Sequence, residues 1–335
     1  MRAISLGVGA SFFFASTFIL NRLMQLNGGD WGWSGSLRIF WTVPILLALV
    51  AWQGKLVPVL RELARHPMQW LGWSTVGFGL CFAPLCYAAA SGPSWLVAGT
   101  WQLTILAGMI LAPFLREPGE HPAPIPLRTW FFSGLILLGV VLLQGNEARH
   151  LTAQDLAGGV LPVVIAAFAF PLGNRRMMRF CQSRLDAVQR TLAMTLASLP
   201  FWIALALWRA SSGRLPTSDQ LFQSALVAIC SGVIATIFFF AATNAVQDSP
   251  AKLAAVEATQ AGEVVFATLG EGLILSKPLP AGGALGGLAL IVVGMLLHAL
   301  GTRRPQEAPM VTPSCATKKE GGEPEAHRLP DARLT

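Results

Sequence analysis

The sequence predicts an all-α polytopic membrane protein with ten transmembrane helices in two inverted five-helix repeats, and three observations predict it. Of 335 residues, 53% are hydrophobic and only 12% charged, where a soluble domain carries roughly 25% charged residues. So little polar surface cannot cover a water-soluble globule. The apolar residues also fall in blocks, each long enough to cross a hydrocarbon core, which takes roughly 17 to 25 residues of helix. Finally, the two halves of the chain match one another at a nearly constant offset.

The spans follow in order. Residues 3–26 come first, behind the single cation Arg2; they lack a small-x-small cleavage site before polar sequence, so they are expected to remain as a helix rather than act as a signal peptide. Residues 34–53, 69–91, 94–115 and 127–144 complete the first half. Residues 157–174, 191–208, 221–246, 253–275 and 279–300 form the second, each bounded by charged residues, Pro or Gly. From residue 302 the chain turns polar, with Arg303, Arg304, Lys318, Lys319 and Glu320 among Pro and Gly. Such a segment has too little apolar content to offset its ordering entropy and is expected to be disordered. The expected organisation is a first repeat over 1–146, a second over 147–301 and a cytoplasmic tail over 302–335.

Loop charges orient the spans. With the N-terminus inside, the cytoplasmic segments collect Lys55, Arg61, Arg65, Arg116, Arg128, Arg175, Arg176, Arg179, Arg184, Arg190 and Lys252, while the opposite loops hold only Arg149, Arg209, Arg214 and Lys277. That bias places both termini in the cytoplasm of a bacterial inner membrane. It also accounts for the net charge of +7: the basic residues form no aromatic-interleaved patch, so no nucleic-acid partner is expected.

The repeat rests on particular pairs: Asn21-Arg22-Leu23-Met24 with Asn174-Arg175-Arg176-Met177, Pro44 and Trp52 with Pro200 and Trp208, and Phe82 and Pro93 with Phe239 and Pro250. An odd number of spans per repeat sends the second copy into the membrane from the other side. That inverted arrangement supports alternating access.

The ninth span carries the most chemistry. At 100° per residue, Glu257, Gln260, Glu263 and Glu271 fall within an arc of about 120°, a polar face that must line a cavity or meet other helices. With the span centred near Glu263, Glu257 lies about 9 Å toward the cytoplasm and Glu271 about 12 Å outward. A carboxylate at that depth pairs with a cation, meets water in a cavity or takes up a proton. Glu263, and after it Glu257, are the candidate coupling residues, set against a structural alternative in which Glu263 pairs permanently with Arg38 and Glu257 reaches the inner interface.

On the fourth span, Trp101 and Gln102 lie near the midplane, where an aromatic face and an amide could bind an amphiphilic or cationic solute; packing between helices is the plainer reading. The Asn21-Arg22 and Asn174-Arg175 pairs read by default as snorkelling anchors. Gly282, Gly283, Gly286 and Gly287 have the spacing for close backbone approach to Gly134 and Gly139. His298 reads as packing. Cys81, Cys86, Cys181, Cys230 and Cys315 form no CxxC and have no His at zinc-ligand spacing, so free thiols, no metal and no cofactor are expected. The chain has no phosphate loop, HExxH or GxSxG, so no soluble-enzyme activity is expected.

The run Ala166-Ala167-Phe168-Ala169-Phe170-Pro171-Leu172-Gly173-Asn174-Arg175-Arg176, taken with Glu257 to Glu271, resembles the multidrug resistance efflux transporters of the drug/metabolite transporter superfamily, over residues 3–300. Glu117 and Glu271, which close the fourth span of each repeat, resemble the pattern of its ten-helix, EamA-like members. The four-helix small exporters of that superfamily use a Glu in the first helix, where this chain has none.

The resemblance implies a secondary transporter exporting a small organic solute, cationic drugs among the options. Proton exchange at Glu263 and a cavity of Trp101, Gln102, Gln260 and Glu263, in a monomer or homodimer, complete the expectation. An amino-acid or metabolite permease is the alternative within transport. A membrane-embedded enzyme or accessory protein acting on lipid carriers is the alternative of another class, and it needs a nucleophile or metal cluster beside the Glu.

Overall fold

The computed structural model describes residues 2–91, 94–115, 125–145, 152–182, 184–274 and 282–301. The tail from 302, Glu117 and Pro93 lie outside the described residues, as does the side chain of Glu271. Every described segment of regular structure is helical. The long helices are α1 (Arg2–Leu26), α2 (Trp31–Trp52), α3 (Pro67–Ser91), α4 (Leu96–Leu115), α5 (Leu127–Gln144), α6 (Leu156–Cys181), α7 (Ala187–Ser211), α8 (Ser218–Asn244), α9 (residues 250–274) and α10 (Gly283–Gly301). Among the described residues, nine of these are long and apolar enough to cross a membrane; α9, which carries Glu257, Gln260 and Glu263, is not among the nine.

Helix ends depart from the expected spans where polar residues have local work. α2 starts at Trp31 because Asp30 caps it, accepting from the backbone N–H groups of Gly32 and Trp33 at 3.0 and 3.3 Å. α7 starts at Ala187 through a capping box in which Asp186 accepts from the Gln189 backbone and the Gln189 side chain accepts from the Asp186 backbone. α6 runs on through Arg175 and Arg179 to Cys181, since those side chains find partners inside the bundle. A short helix, Leu56–Arg65, was not foreseen; it seats Val59 and Glu62 in the protein.

The helices pack in pairs: α2 against α7, α3 against α6, α1 against α8 and α9, and most extensively α5 against α10. In the last pair Gly139 faces Gly287 so closely that a Cβ on Gly139 would sit 2.7 Å from the Gly287 carbonyl oxygen, while Gly294 fits against Ile136. Gly134, Gly283 and Gly286 face open space and take no part. The expected glycine contact therefore rests on two of the residues named for it.

α2 and α7 run antiparallel and are clamped at both ends by a swapped pattern. Arg209, in the last turn of α7, donates through Nε to both carboxylate oxygens of Asp30 at 3.0 and 3.1 Å, and through Nη2 to Oδ2. Lys55, just past the end of α2, reaches Asp186 at 2.7 Å. Each helix is thus capped by an aspartate that grips the far end of the other. Asp186 stands as far beyond Asp30 as Pro200 beyond Pro44 and Trp208 beyond Trp52.

Irregular winding recurs as well. α3 widens into a π stretch at Thr75–Gly79 and α8 into another at Ala228–Ala235; α4 loosens at Gln102 and α9 tightens into a 3-10 turn at Thr259–Ala261. Such departures from α geometry cluster near functional centres.

Candidate functional site

The irregular turns of α4 and α9 lie beside a central cavity. Its walls come from both halves of the chain: Phe14, Thr17 and Phe18 on α1, Arg38 on α2, Phe82 and Leu85 on α3, Trp101 on α4, Phe170 on α6, Ser231 on α8, and Gln260 and Glu263 on α9. The space open to the centre of a water molecule is about 20 Å³, room for water and not for an organic solute. A larger occupant requires the helices to part.

Glu263 and Arg38, both 2% exposed, face this cavity without an ion pair between them among the described residues. Arg38 instead donates from Nη2 to Ser231 Oγ at 2.9 Å, and its guanidinium lies 3.7 Å over the ring of Phe82. The expectation of a permanent Arg38–Glu263 pair therefore does not hold: both side chains line the same cavity without an ion pair among the described residues. Three buried polar atoms on the same lining have no hydrogen-bond partner, Thr17 Oγ1, Arg38 Nε and Gln260 Oε1, while the Trp101 indole is the hydrogen-bonding neighbour of Glu263. Buried polar atoms are seldom left so, because each costs the desolvation of its group. Each leaves an open donor or acceptor on the cavity wall.

Of the residues singled out in the sequence, Glu263, Gln260 and Trp101 meet in the cavity, with Trp101 also packed on Phe170 at a ring distance of 5.8 Å. Gln102 does not join them. It is buried on the far side of the loosened turn and donates to the carbonyl of Ala98 on its own helix at 3.2 Å.

Glu257 also lies elsewhere and does not reach an interface. It is buried and receives Arg175 in a bidentate pair, Nε to Oε1 at 2.9 Å and Nη2 to Oε2 at 2.6 Å. Gly108 on α4 leaves room for that pair: a Cβ there would strike the carboxylate. The anchor reading of Asn174-Arg175 is thereby corrected. Asn174 turns inward too, accepting from Arg190 Nη2 at 3.1 Å, while Arg190 Nη1 donates to Asn244 at 2.7 Å. Asn21 likewise faces inward, donating to the Cys86 sulfur at 3.9 Å. Lipid offers these groups nothing, and buried partners do.

Sequence reasoning missed Thr17 and Ser231, which look like ordinary helix residues, and weighed Arg38 only as a partner for Glu263. A lone cation inside an apolar span was the available signal.

Apolar helices long enough to cross a membrane, gathered round a charged internal cavity, define a multi-pass membrane protein with the interior of a transporter. A family model described as "EmrE: Putative multidrug resistance efflux transporter" matches residues 1–304, and the chain belongs to that family, whose members are small-solute efflux transporters. It is 50% identical to "Uncharacterized protein YjlA" of Bacillus subtilis (strain 168) over 316 residues, 92% of this chain and 98% of that one. It is 41% identical over 267 residues to "Uncharacterized 42.1 kDa protein in intracellular alkaline protease 3'region" of Shouchella clausii, 78% of this chain and 70% of that one. A protein of known crystal structure shares the fold, with a TM-score of 0.68 and 18% identity over 90% of this chain and 97% of that one.

Proposed function

We propose that this protein is a secondary active transporter of the bacterial inner membrane that exports a small organic solute in exchange for protons, with Glu263 carrying the proton. The observation that supports this reading is Glu263 itself: a buried carboxyl, unpaired with the nearby Arg38, on a cavity walled by helices from both halves. Such a carboxyl exchanges its proton with water when the cavity opens to one side or the other. Coupling requires that protonation change solute affinity, so solute and proton compete for the carboxyl.

The two halves, 1–146 and 147–301, act as inverted five-helix repeats with α9 as a tenth span and both termini in the cytoplasm. The swapped Asp30–Arg209 and Asp186–Lys55 clamps, and the matching irregular windings of α3 with α8 and α4 with α9, support this arrangement. Rocking of one half against the other exposes the cavity alternately.

The test is proton movement in proteoliposomes under an imposed pH gradient, on addition of a panel of organic cations and metabolites, with wild type and Glu263→Gln. Solute-induced proton flux in wild type and none in the variant is the expected result. Equal flux in both removes Glu263 from the coupling step, and solute flux indifferent to the pH gradient replaces exchange by facilitated passage.

A further inference from the structure

We propose that the short helix Leu56–Arg65 lies in the plane of the membrane surface and binds an anionic phospholipid, the headgroup on Arg61 and Arg65 and the acyl chain along Val57 and Leu60. The inference is independent of what the protein transports.

Position comes first. The helix has 10 residues, a length of about 15 Å at 1.5 Å per residue. Gln53, Gly54 and Lys55 join it to the end of α2, and His66 alone joins it to the start of α3. Tethers so short hold it at the level where both long helices leave the hydrocarbon. Trp52, 86% exposed, and Met68, 76% exposed, flank it, and tryptophan is enriched at that boundary.

The helix divides into faces. Val59 and Glu62 share the side that is buried in the protein, where Glu62 pairs with Arg184 at 3.1 Å. On the opposite side, at 100° per residue, Leu60, Ala64 and Val57 fall within an arc of about 60°. All three are exposed, Val57 at 61% and Leu60 at 49%. Arg61 and Arg65 occupy the arc beside that strip, both exposed and neither in an ion pair among the described residues. Lys55 does not join them, being held by Asp186 at 2.7 Å.

Water suits only the arginines and hydrocarbon only the strip, whereas the interface meets both at once. An anionic headgroup also answers the unpaired charge, and each such cation near an anionic surface is worth about fivefold in affinity. A zwitterionic headgroup leaves that charge unanswered. A free phosphate would meet the arginines and ignore Val57 and Leu60, so a lipid is the occupant that uses the whole face.

The test is native mass spectrometry of the full chain, equilibrated in detergent with equimolar phosphatidylglycerol and phosphatidylcholine of identical acyl chains. Wild type should retain phosphatidylglycerol over phosphatidylcholine by at least about fivefold. Arg61→Gln with Arg65→Gln should cut that ratio at least about threefold. Arg128→Gln with Lys252→Gln removes two exposed cations elsewhere and should leave the ratio as in wild type. Val57→Gln with Leu60→Gln should lower retention of both lipids and keep their ratio. Equal retention of the two lipids by wild type overturns the proposal, and this outcome needs no variant to fold. So does an unchanged ratio without Arg61 and Arg65, an equal loss without Arg128 and Lys252, or undiminished retention without Val57 and Leu60.

Discussion

The buried pair between Arg175 and Glu257 gives the most quantitative handle on this bundle. Both charges are sealed, with side chains 5% and 4% exposed, and they meet in bidentate geometry. Glu257→Gln leaves the guanidinium buried with no counter-charge, and loss of one partner from such a pair costs about 3 to 5 kcal/mol. Arg175→Met strands the carboxylate and should cost a similar amount. Replacing both, as Arg175→Met with Glu257→Leu, removes the charges together and should return stability to within about 1 kcal/mol of wild type or above it. The double-mutant cycle then yields a coupling energy of several kcal/mol, far beyond the ~0.5 kcal/mol by which independent sites depart from additivity. Denaturant unfolding in detergent micelles, followed by the fluorescence of the 11 tryptophans, supplies all four values by linear extrapolation. Single variants within about 0.5 kcal/mol of wild type, or a double variant as unstable as the two singles combined, would refute the assignment of this contact as a closed charge pair.

Two further outcomes follow from the packing. Asp30→Asn removes the charge partner of Arg209 from a contact 10% and 7% exposed and should cost about 3 kcal/mol or more, whereas Lys55→Ala at the exposed end should change unfolding free energy by less than about 1 kcal/mol; equal effects at the two ends would contradict the burial difference. Gly173→Ala places a Cβ 2.6 Å from the Gly77 nitrogen and 3.1 Å from the Trp73 carbonyl oxygen where α6 crosses α3, and overpacking of this kind costs about 1 to 3 kcal/mol, read in the same unfolding assay. An unchanged midpoint would show that the crossing is looser than it stands here.

Nine of the spans were legible because an apolar run of membrane length has few other fates, and the burial of the α9 acids was legible because they stand inside an apolar block. What Glu257 and Glu263 do with their charge was not. They are six residues apart on one helix, yet one meets Arg175 and the other faces the cavity, and that depends on which helices cross at each level. Gln102 lies apart from Trp101 for a related reason: successive helix residues point about 100° apart, and α4 loosens at that residue, so Trp101 facing the cavity does not bring Gln102 with it. The α2–α7 clamps were available in principle, since Asp30 and Asp186 keep the same offset as the prolines and tryptophans already paired. Cap residues lie outside apolar blocks, and a search confined to the spans passes over them. Gly173 sits within the run that carries the family resemblance, where its close contact with Gly77 leaves no room for a Cβ.

The two clamps also differ in how they answer to electrolyte. Asp30 and Arg209 are shut away among helices, with Gln220 donating to the Asp30 carbonyl at 2.6 Å, while Lys55 and Asp186 stand 48% and 40% exposed. Mobile ions screen charges that water reaches, over about 8 Å at physiological strength, and hardly act on charges sealed from it. Adding salt therefore slackens one end of the α2–α7 pair and leaves the other gripped. The two ends of the α2–α7 pair are therefore held unequally, one by a contact sealed from water and the other by one that water reaches.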